Sequence, residues 1–182
     1  MKEIQKSDLL ALSISMKECL MSRHTVAIIS SLITTITLTN SAFALDLPTK
    51  PFLTLEAARF VVAAAEEEAK VNGWPCVISV VDAEGMPILT VRMDDASVPA
   101  GVELAPEKAR TAALFRRESG ALEDAINGTR PAVITARGFV LMRGGVPITV
   151  GGKVVGAIGV SADTPDHDQQ IAKAGVAALT TK

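Results

Sequence analysis

Between residues 144 and 161 the chain reads GGVPITVGGKVVGAIGVS. Two runs rich in valine and isoleucine, 146–150 and 153–161, flank the pair Gly151-Gly152. A glycine pair in that setting is typical of a two-residue hairpin turn. Since a tight turn joins antiparallel strands, the segment predicts two neighbouring antiparallel strands.

The rest of the chain adds helices and a second hairpin to this pair. Apolar spacing, turn residues and capping residues such as Thr54 predict the further elements. They are helices over 54–72, 107–117, 119–126 and 164–179, a hairpin formed by 76–81 and 87–93, and a short strand over 139–142. Because this order lacks the strand–helix–strand alternation of a parallel sheet, it predicts an α+β domain with helices covering the sheet.

The first 44 residues differ in composition from the rest, since all 13 glycines and all 9 prolines follow them. Arg23 precedes a charge-free run over 25–38, and the stretch ends in Ala42-Phe43-Ala44. This pattern is typical of a secretory signal peptide cleaved after Ala44, and the run is short for a membrane span. The mixed charges before Met21 favour a true start there. We therefore expect a single domain over 45–182, in the periplasm or secreted.

Charge and cysteine counts exclude several classes of function. Lysine and arginine number 18 against 20 acidic residues, so a basic nucleic-acid-binding surface is not expected. Cleavage after Ala44 would leave one cysteine, Cys76, and one histidine, His167. An internal disulfide and a zinc site of several cysteines and histidines are then excluded, and a catalytic triad would need His167 as its base.

Two glycines interrupt the predicted strand 153–161. Glycine inside a strand often marks the close approach of another backbone or of a flat ligand. For Gly156 and Gly159, helix packing and ligand approach both stay open. Arg92 and Lys108 could form a basic rim for a ligand that carries carboxylates, and the alternative is that each makes an ordinary surface ion pair.

Three further positions could carry chemistry. His167, near the start of the last predicted helix, is either an exposed histidine or a ligand. Met93 either fills the core or contacts a ligand. The adjacent acids Asp94 and Asp95 either lie in a solvated loop or act as a base.

Six short motifs occur in register along the predicted domain. They are LTLEAA at 53–58, VVDAEG at 80–85, RMDDA at 92–96, KARTA at 108–112, GGVPI at 144–148 and GAIGVS at 156–161. Together they resemble the haem-binding GlcG/HbpS-like family. The resemblance implies a profilin-like fold, with a five-stranded antiparallel sheet and helices on both faces, and assembly into homo-oligomers. It also implies haem or a related tetrapyrrole as the ligand. The chain departs from the family after Ser161, where relatives tend to continue with Gly-Gly and this chain has Ala162-Asp163.

The favoured interpretation is an exported protein that binds haem, and whether it has a catalytic activity stays open. The porphyrin would lie against Gly156 and Gly159, and Arg92 or Lys108 would meet its propionates. His167 or a methionine would ligate the metal. Met93 would lie in the same site. We expect no membrane insertion after cleavage of the signal peptide.

Two alternatives stay open. One is an enzyme that acts on a small carboxylate or hydroxy acid, with Asp94 or Asp95 as base and Lys108 or Arg92 holding the substrate. The other is a non-catalytic oligomeric module whose strand glycines serve packing alone. Haem titration separates the first interpretation from both.

Overall fold

The structure is a computed structural model that describes residues 45–180, apart from the side chain of Thr180. The expected signal peptide over residues 1–44, with its start at Met21, lies outside the described residues. The helices and strands belong to one compact unit that begins at Thr49. Within the described residues, no helix is long and apolar enough to cross a membrane.

Four helices and four strands lie within residues 45–180. In chain order they are α1 (Leu55–Asn72), β1 (Val77–Asp82), β2 (Pro87–Arg92), α2 (Gly101–Phe115), α3 (Ser119–Asn127), β3 (Gly145–Val150), β4 (Lys153–Ser161) and α4 (Pro165–Thr180), with a 3-10 turn over Pro131–Thr135. The predicted cap of α1 is confirmed, since the Thr54 hydroxyl accepts a hydrogen bond from the Ala57 N–H. The helix ends at Gly73, whose φ of 72° is left-handed.

The strands form one antiparallel sheet in the order β2-β1-β4-β3. Both predicted hairpins are confirmed, and they meet where β1 pairs with β4. The α+β class is therefore correct. The two central strands are buried along almost their whole length, whereas β2 and β3 form the edges.

The expected fifth strand over 139–142 is wrong. The carbonyl of Val140 accepts a hydrogen bond from Thr111 Oγ1 at 2.9 Å, and the carbonyl of Met142 accepts one from Ser119 Oγ at 2.6 Å. Helix side chains therefore satisfy carbonyl groups that a strand would offer to a neighbour. Among residues 45–180 the sheet has four strands.

Helices cover both faces of the sheet, as expected. On one face α1 and α4 pack over a large cluster that includes Ile78, Ile158 and Val160. On the other face α2 packs over a smaller cluster that includes Val81 and Ala157. The two clusters use alternate residues of β1 and β4, as expected for strands buried on both sides.

Helix α2 starts earlier than its sequence predicts. The predicted helix over 107–117 has Pro106 at its start, but Pro106 lies inside a helix that begins at Gly101. Gly101 packs tightly against Val77 and Ser161, because a Cβ there would lie 3.0 Å from Val77 Cγ2 and 3.2 Å from Ser161 Cβ. Packing on the sheet thus extends the helix beyond the point that the proline indicates.

Candidate functional site

The predicted site residues lie on opposite faces of the sheet. Arg92 stands opposite Val77, and Val77 stands opposite Ser161 on β4. Directly opposite residues share a face, and Val77 and Ser161 both contact the start of α2. Arg92 therefore lies on the α2 side of the sheet. Met93 packs against the cluster under α1 and α4, on the other side.

Helix and side-chain packing occupies the space above the two strand glycines. A Cβ on Gly159 would lie 2.5 Å from the backbone nitrogen of Ala109 and still closer to the carbonyl oxygen of Ala105, both in α2. A Cβ on Gly156 would come within 2.7 Å of Leu53 Cδ2. The expectation that a flat ligand lies against these glycines is therefore wrong, and helix packing explains Gly159.

Lys108 does not lie on a basic rim, and that expectation is also wrong. Its side chain is 2% exposed, and its Nζ donates to Asp168 Oδ2 at 2.5 Å and to the carbonyl of Val160 at 3.2 Å. The partner is thus a buried acid, and the alternative of a surface ion pair is also wrong for Lys108. A buried ammonium is retained because an equally buried carboxylate and a carbonyl oxygen satisfy it.

Asp168 connects this ion pair to the start of α4. Its second oxygen accepts the N–H of Ala162 at 2.5 Å. Burial raises the pKa of the Asp168 carboxyl, and the Lys108 ammonium opposes that change. The next residue, Gln169, accepts the N–H of Gly144 at 3.1 Å and donates to Glu118. The contacts of Asp168 hold Ala162, at the end of β4, against the start of α4, and those of Gln169 hold Gly144 at the start of β3.

Met93 contacts the buried thiol of Cys76, with 3.7 Å between the two sulfur atoms. Burial, together with the carboxylates of Asp168 and Glu66, raises the pKa of Cys76 to about 12. The Met93 side chain is half-buried and packs against the core. Its geometry is therefore that of a core residue.

The half-buried ring of His167 stacks on Trp74, with 3.6 Å between ring centroids and an interplanar angle of 11°. Its Nδ1 lies 2.8 Å from Asp163 Oδ1. Because a carboxylate only accepts hydrogen bonds, the proton is assigned to Nδ1. This hydrogen bond lowers the pKa of Asp163. In the part of the chain that the structure describes, no partner is found for Nε2.

Sequence reasoning missed both neighbours of His167. Asp163 precedes it by four residues, and that spacing on a helix is a recognisable pairing signal. Trp74 follows the end of α1 and meets His167 only through the fold. A histidine held by a carboxylate through Nδ1 presents Nε2 as a metal ligand, an arrangement common in metal sites.

Arg92, Asp94 and Asp95 are exposed, and the structure shows no ion pair or hydrogen bond from their side chains to other described residues. Asp95 has a φ of 61°, the left-handed region, at a turn closed by the Ala96 N–H and the carbonyl of Met93. Within residues 45–180, no group of three or more metal-binding side chains is found. His167 is therefore the predicted site residue with the clearest ligand geometry.

Comparison with known proteins places these features in a family. A family model described as haem degrading protein HbpS-like matches residues 53–177. Protein GlcG of Escherichia coli K12 is 42% identical over 113 residues, which are 62% of this chain and 84% of GlcG.

Solved structures agree in fold. A double mutant of Streptomyces reticuli HbpS superposes with a TM-score of 0.69 at 34% identity, covering 76% of this chain and 94% of that one. A PduOC:heme complex superposes with a TM-score of 0.63 at 29% identity, covering 70% of this chain and 95% of that one.

Proposed function

The chain belongs to the family of haem degrading, HbpS-like proteins, and from that membership we propose that it binds haem, with Nε2 of His167 as the protein ligand to the iron. The observation that carries the assignment is the Asp163–His167 hydrogen bond at 2.8 Å. It places the proton on Nδ1 and leaves the lone pair of Nε2 available to a metal ion. The likeness to a PduOC:heme complex supports the choice of ligand.

The residues around His167 fit a haem iron in chemistry. Imidazole is a common axial ligand of haem, and a carboxylate on the far nitrogen raises its basicity and fixes the orientation of the ring. Trp74 supports the ring on one face and restricts its rotation. Bound haem would supply a redox-active iron, and the chain would supply one oriented nitrogen ligand.

Lys108 does not meet the propionates in this proposal, because its ammonium is buried against Asp168. Arg92 is exposed at the end of β2, and its contact with a propionate stays a prediction. The burial of Lys108 leaves the exposed Arg92 as the cation available to the alternative, an enzyme for small carboxylates with Asp94 or Asp95 as base.

Binding of haem and of iron-free protoporphyrin IX by the same protein tests the proposal. The full chain with His24→Ala contains His167 as its single histidine. We expect haem to bind more tightly than protoporphyrin IX, and the ferrous complex to show an iron–histidine stretching band in resonance Raman spectra. His167→Ala should abolish the band and lower haem affinity to that of protoporphyrin IX.

Two variants sharpen this test. Asp163→Asn should keep the iron–histidine band but move it to lower frequency. The amide oxygen of asparagine accepts a weaker hydrogen bond from Nδ1 than the carboxylate does, so the imidazole becomes a less basic ligand. Gln170→Ala, an exposed position on the same helix, is the matched control and should leave the band in place. The proposal fails if the histidine-free variant keeps the band, or if the parent protein binds haem no better than protoporphyrin IX.

We also propose that the domain is exported and forms a homo-oligomer. The signal-like composition of residues 1–44 supports export. The intact mass of protein from the cell envelope should correspond to an N-terminus at Leu45. Light scattering at micromolar concentration should give a mass above that of one chain. A purely monomeric sample would refute the proposal of a homo-oligomer.

A further inference from the structure

A cavity of about 520 Å³ lies at the end of the sheet opposite His167. It is bounded by the turn of the β1–β2 hairpin, by the turn of the β3–β4 hairpin and by the C-terminal end of α2. Its polar lining comes from Lys50, Glu84, Arg116 and Lys153, and Ala113 and Val155 contribute to its apolar wall.

The charges that line this cavity do not balance. Lys50 Nζ contacts Glu84 Oε1 at 2.7 Å, so this cation and this acid compensate each other. For Arg116 and Lys153, no ion pair or hydrogen bond of the side chain is found with the described residues. The carboxylate of Asp82, near Lys50, already accepts the N–H groups of Glu84 and Met86. Two solvent-exposed positive charges, on Arg116 and Lys153, therefore line the cavity with no counterion among the described residues.

The backbone at Arg116 gives a second, independent indication. This residue ends α2 with a φ of 54° and a ψ of 37°, the left-handed conformation that glycine normally supplies at this position. A bulky side chain here is strained, and such strain concentrates at functional sites. An arginine stands at a position where the fold favours a glycine, which fits a role for its guanidinium.

We propose that this cavity binds a small organic dianion, with two carboxylates on a short apolar skeleton. Arg116 would pair with one carboxylate and Lys153 with the other, while Ala113 and Val155 would contact the skeleton. The cavity exceeds the size of a compact inorganic anion, which favours separated charges. This proposal does not rest on haem binding, because none of these residues belongs to the His167 site.

Calorimetric titration of the full chain at low ionic strength tests the proposal with three probes. Succinate carries two separated carboxylates, butyrate carries one, and inorganic phosphate is a compact anion. We expect saturable succinate binding that exceeds the other two. Arg116→Gly and Lys153→Ala should each weaken succinate binding by about fivefold. Arg116→Lys keeps the positive charge and should therefore retain most of the parent affinity.

The matched control is Lys70→Ala, which removes an exposed cation on α1 far from the cavity. It should leave succinate affinity unchanged. The proposal is overturned if succinate gives no saturable signal with folded protein, if phosphate or butyrate binds as tightly, or if the Lys70 variant weakens binding as much as the cavity variants. Circular dichroism confirms that each variant is folded.

Discussion

Lys108 and Asp168 lie 60 positions apart in the chain and meet in the interior, with 2.5 Å between Nζ and Oδ2. The pair joins α2 to the start of α4 across the end of β4. Both side chains are almost completely buried. Neither charge can therefore be removed alone without leaving the other in a medium of low dielectric constant.

Breaking this pair from either side should be costly. Lys108→Met and Asp168→Asn should each lower the free energy of unfolding by about 3–5 kcal/mol, since each leaves an uncompensated buried charge. The double variant removes both charges and should lose less than either single variant. Urea unfolding measures all three. Additive losses would show that the two side chains are not coupled.

Gly159→Ala should destabilise the domain because its Cβ would meet the backbone of α2. We expect a loss of about 3 kcal/mol in the free energy of unfolding, since the helix must move away from the sheet. Gly138→Ala is the control, because Gly138 has a φ of 78° but no atom within 4 Å of the added Cβ. Gly138→Ala should lower the free energy of unfolding only through backbone strain, by about 1 kcal/mol. Equal losses in chemical denaturation would contradict the close approach of α2.

The Cys76 thiol should be unreactive in the folded protein. Its raised pKa of about 12 keeps it protonated at pH 9, so iodoacetamide should label it only after unfolding. Peptide mass spectrometry separates Cys76 from Cys19. The same shift gives a stability contribution that is complete below the ordinary pKa of 9.0 and lost as the pH rises towards 12. Rapid native labelling of Cys76 at pH 9 would disprove this account.

Arg116→Gly should raise stability while it removes a cation. Relief of the left-handed strain outweighs the added entropy of glycine in the unfolded chain, for a net gain of about 0.5 kcal/mol in the free energy of unfolding. Arg117→Gly relieves no positive φ and should lower stability instead. Thermal unfolding of both variants tests the difference, and a loss in both would mean that Arg116 is not strained.

Local signals predicted the elements whose determinants are local. Thr54 and Gly73 mark the ends of α1, and the turn residues mark both hairpins, because caps and turns depend on a few adjacent residues. The strand expected over 139–142 failed because Thr111 and Ser119, far along the chain, satisfy its carbonyl groups. Sequence pattern alone does not reveal such partners.

The candidate site was predictable only in part. His167 was singled out from its rarity, but the partner of Lys108 and the stacking of Trp74 arise from long-range contacts. Arg92 and Met93 are adjacent in sequence, yet strand alternation places them on opposite faces of the sheet. The two side chains therefore do not line one pocket. The motif RMDDA, in which they are neighbours, does not reveal this.

The sheet order has a consequence for the time at which the chain can fold. The last strand to be synthesised, β4, lies between β1 and β3. Until residue 161 has emerged from the ribosome, β1 and β2 can form only an isolated hairpin, which is marginally stable in water. Most of the domain over residues 45–180 must therefore be made before its core can close. A nascent chain of this topology stays open to chaperones, or to a translocation channel, for most of its synthesis.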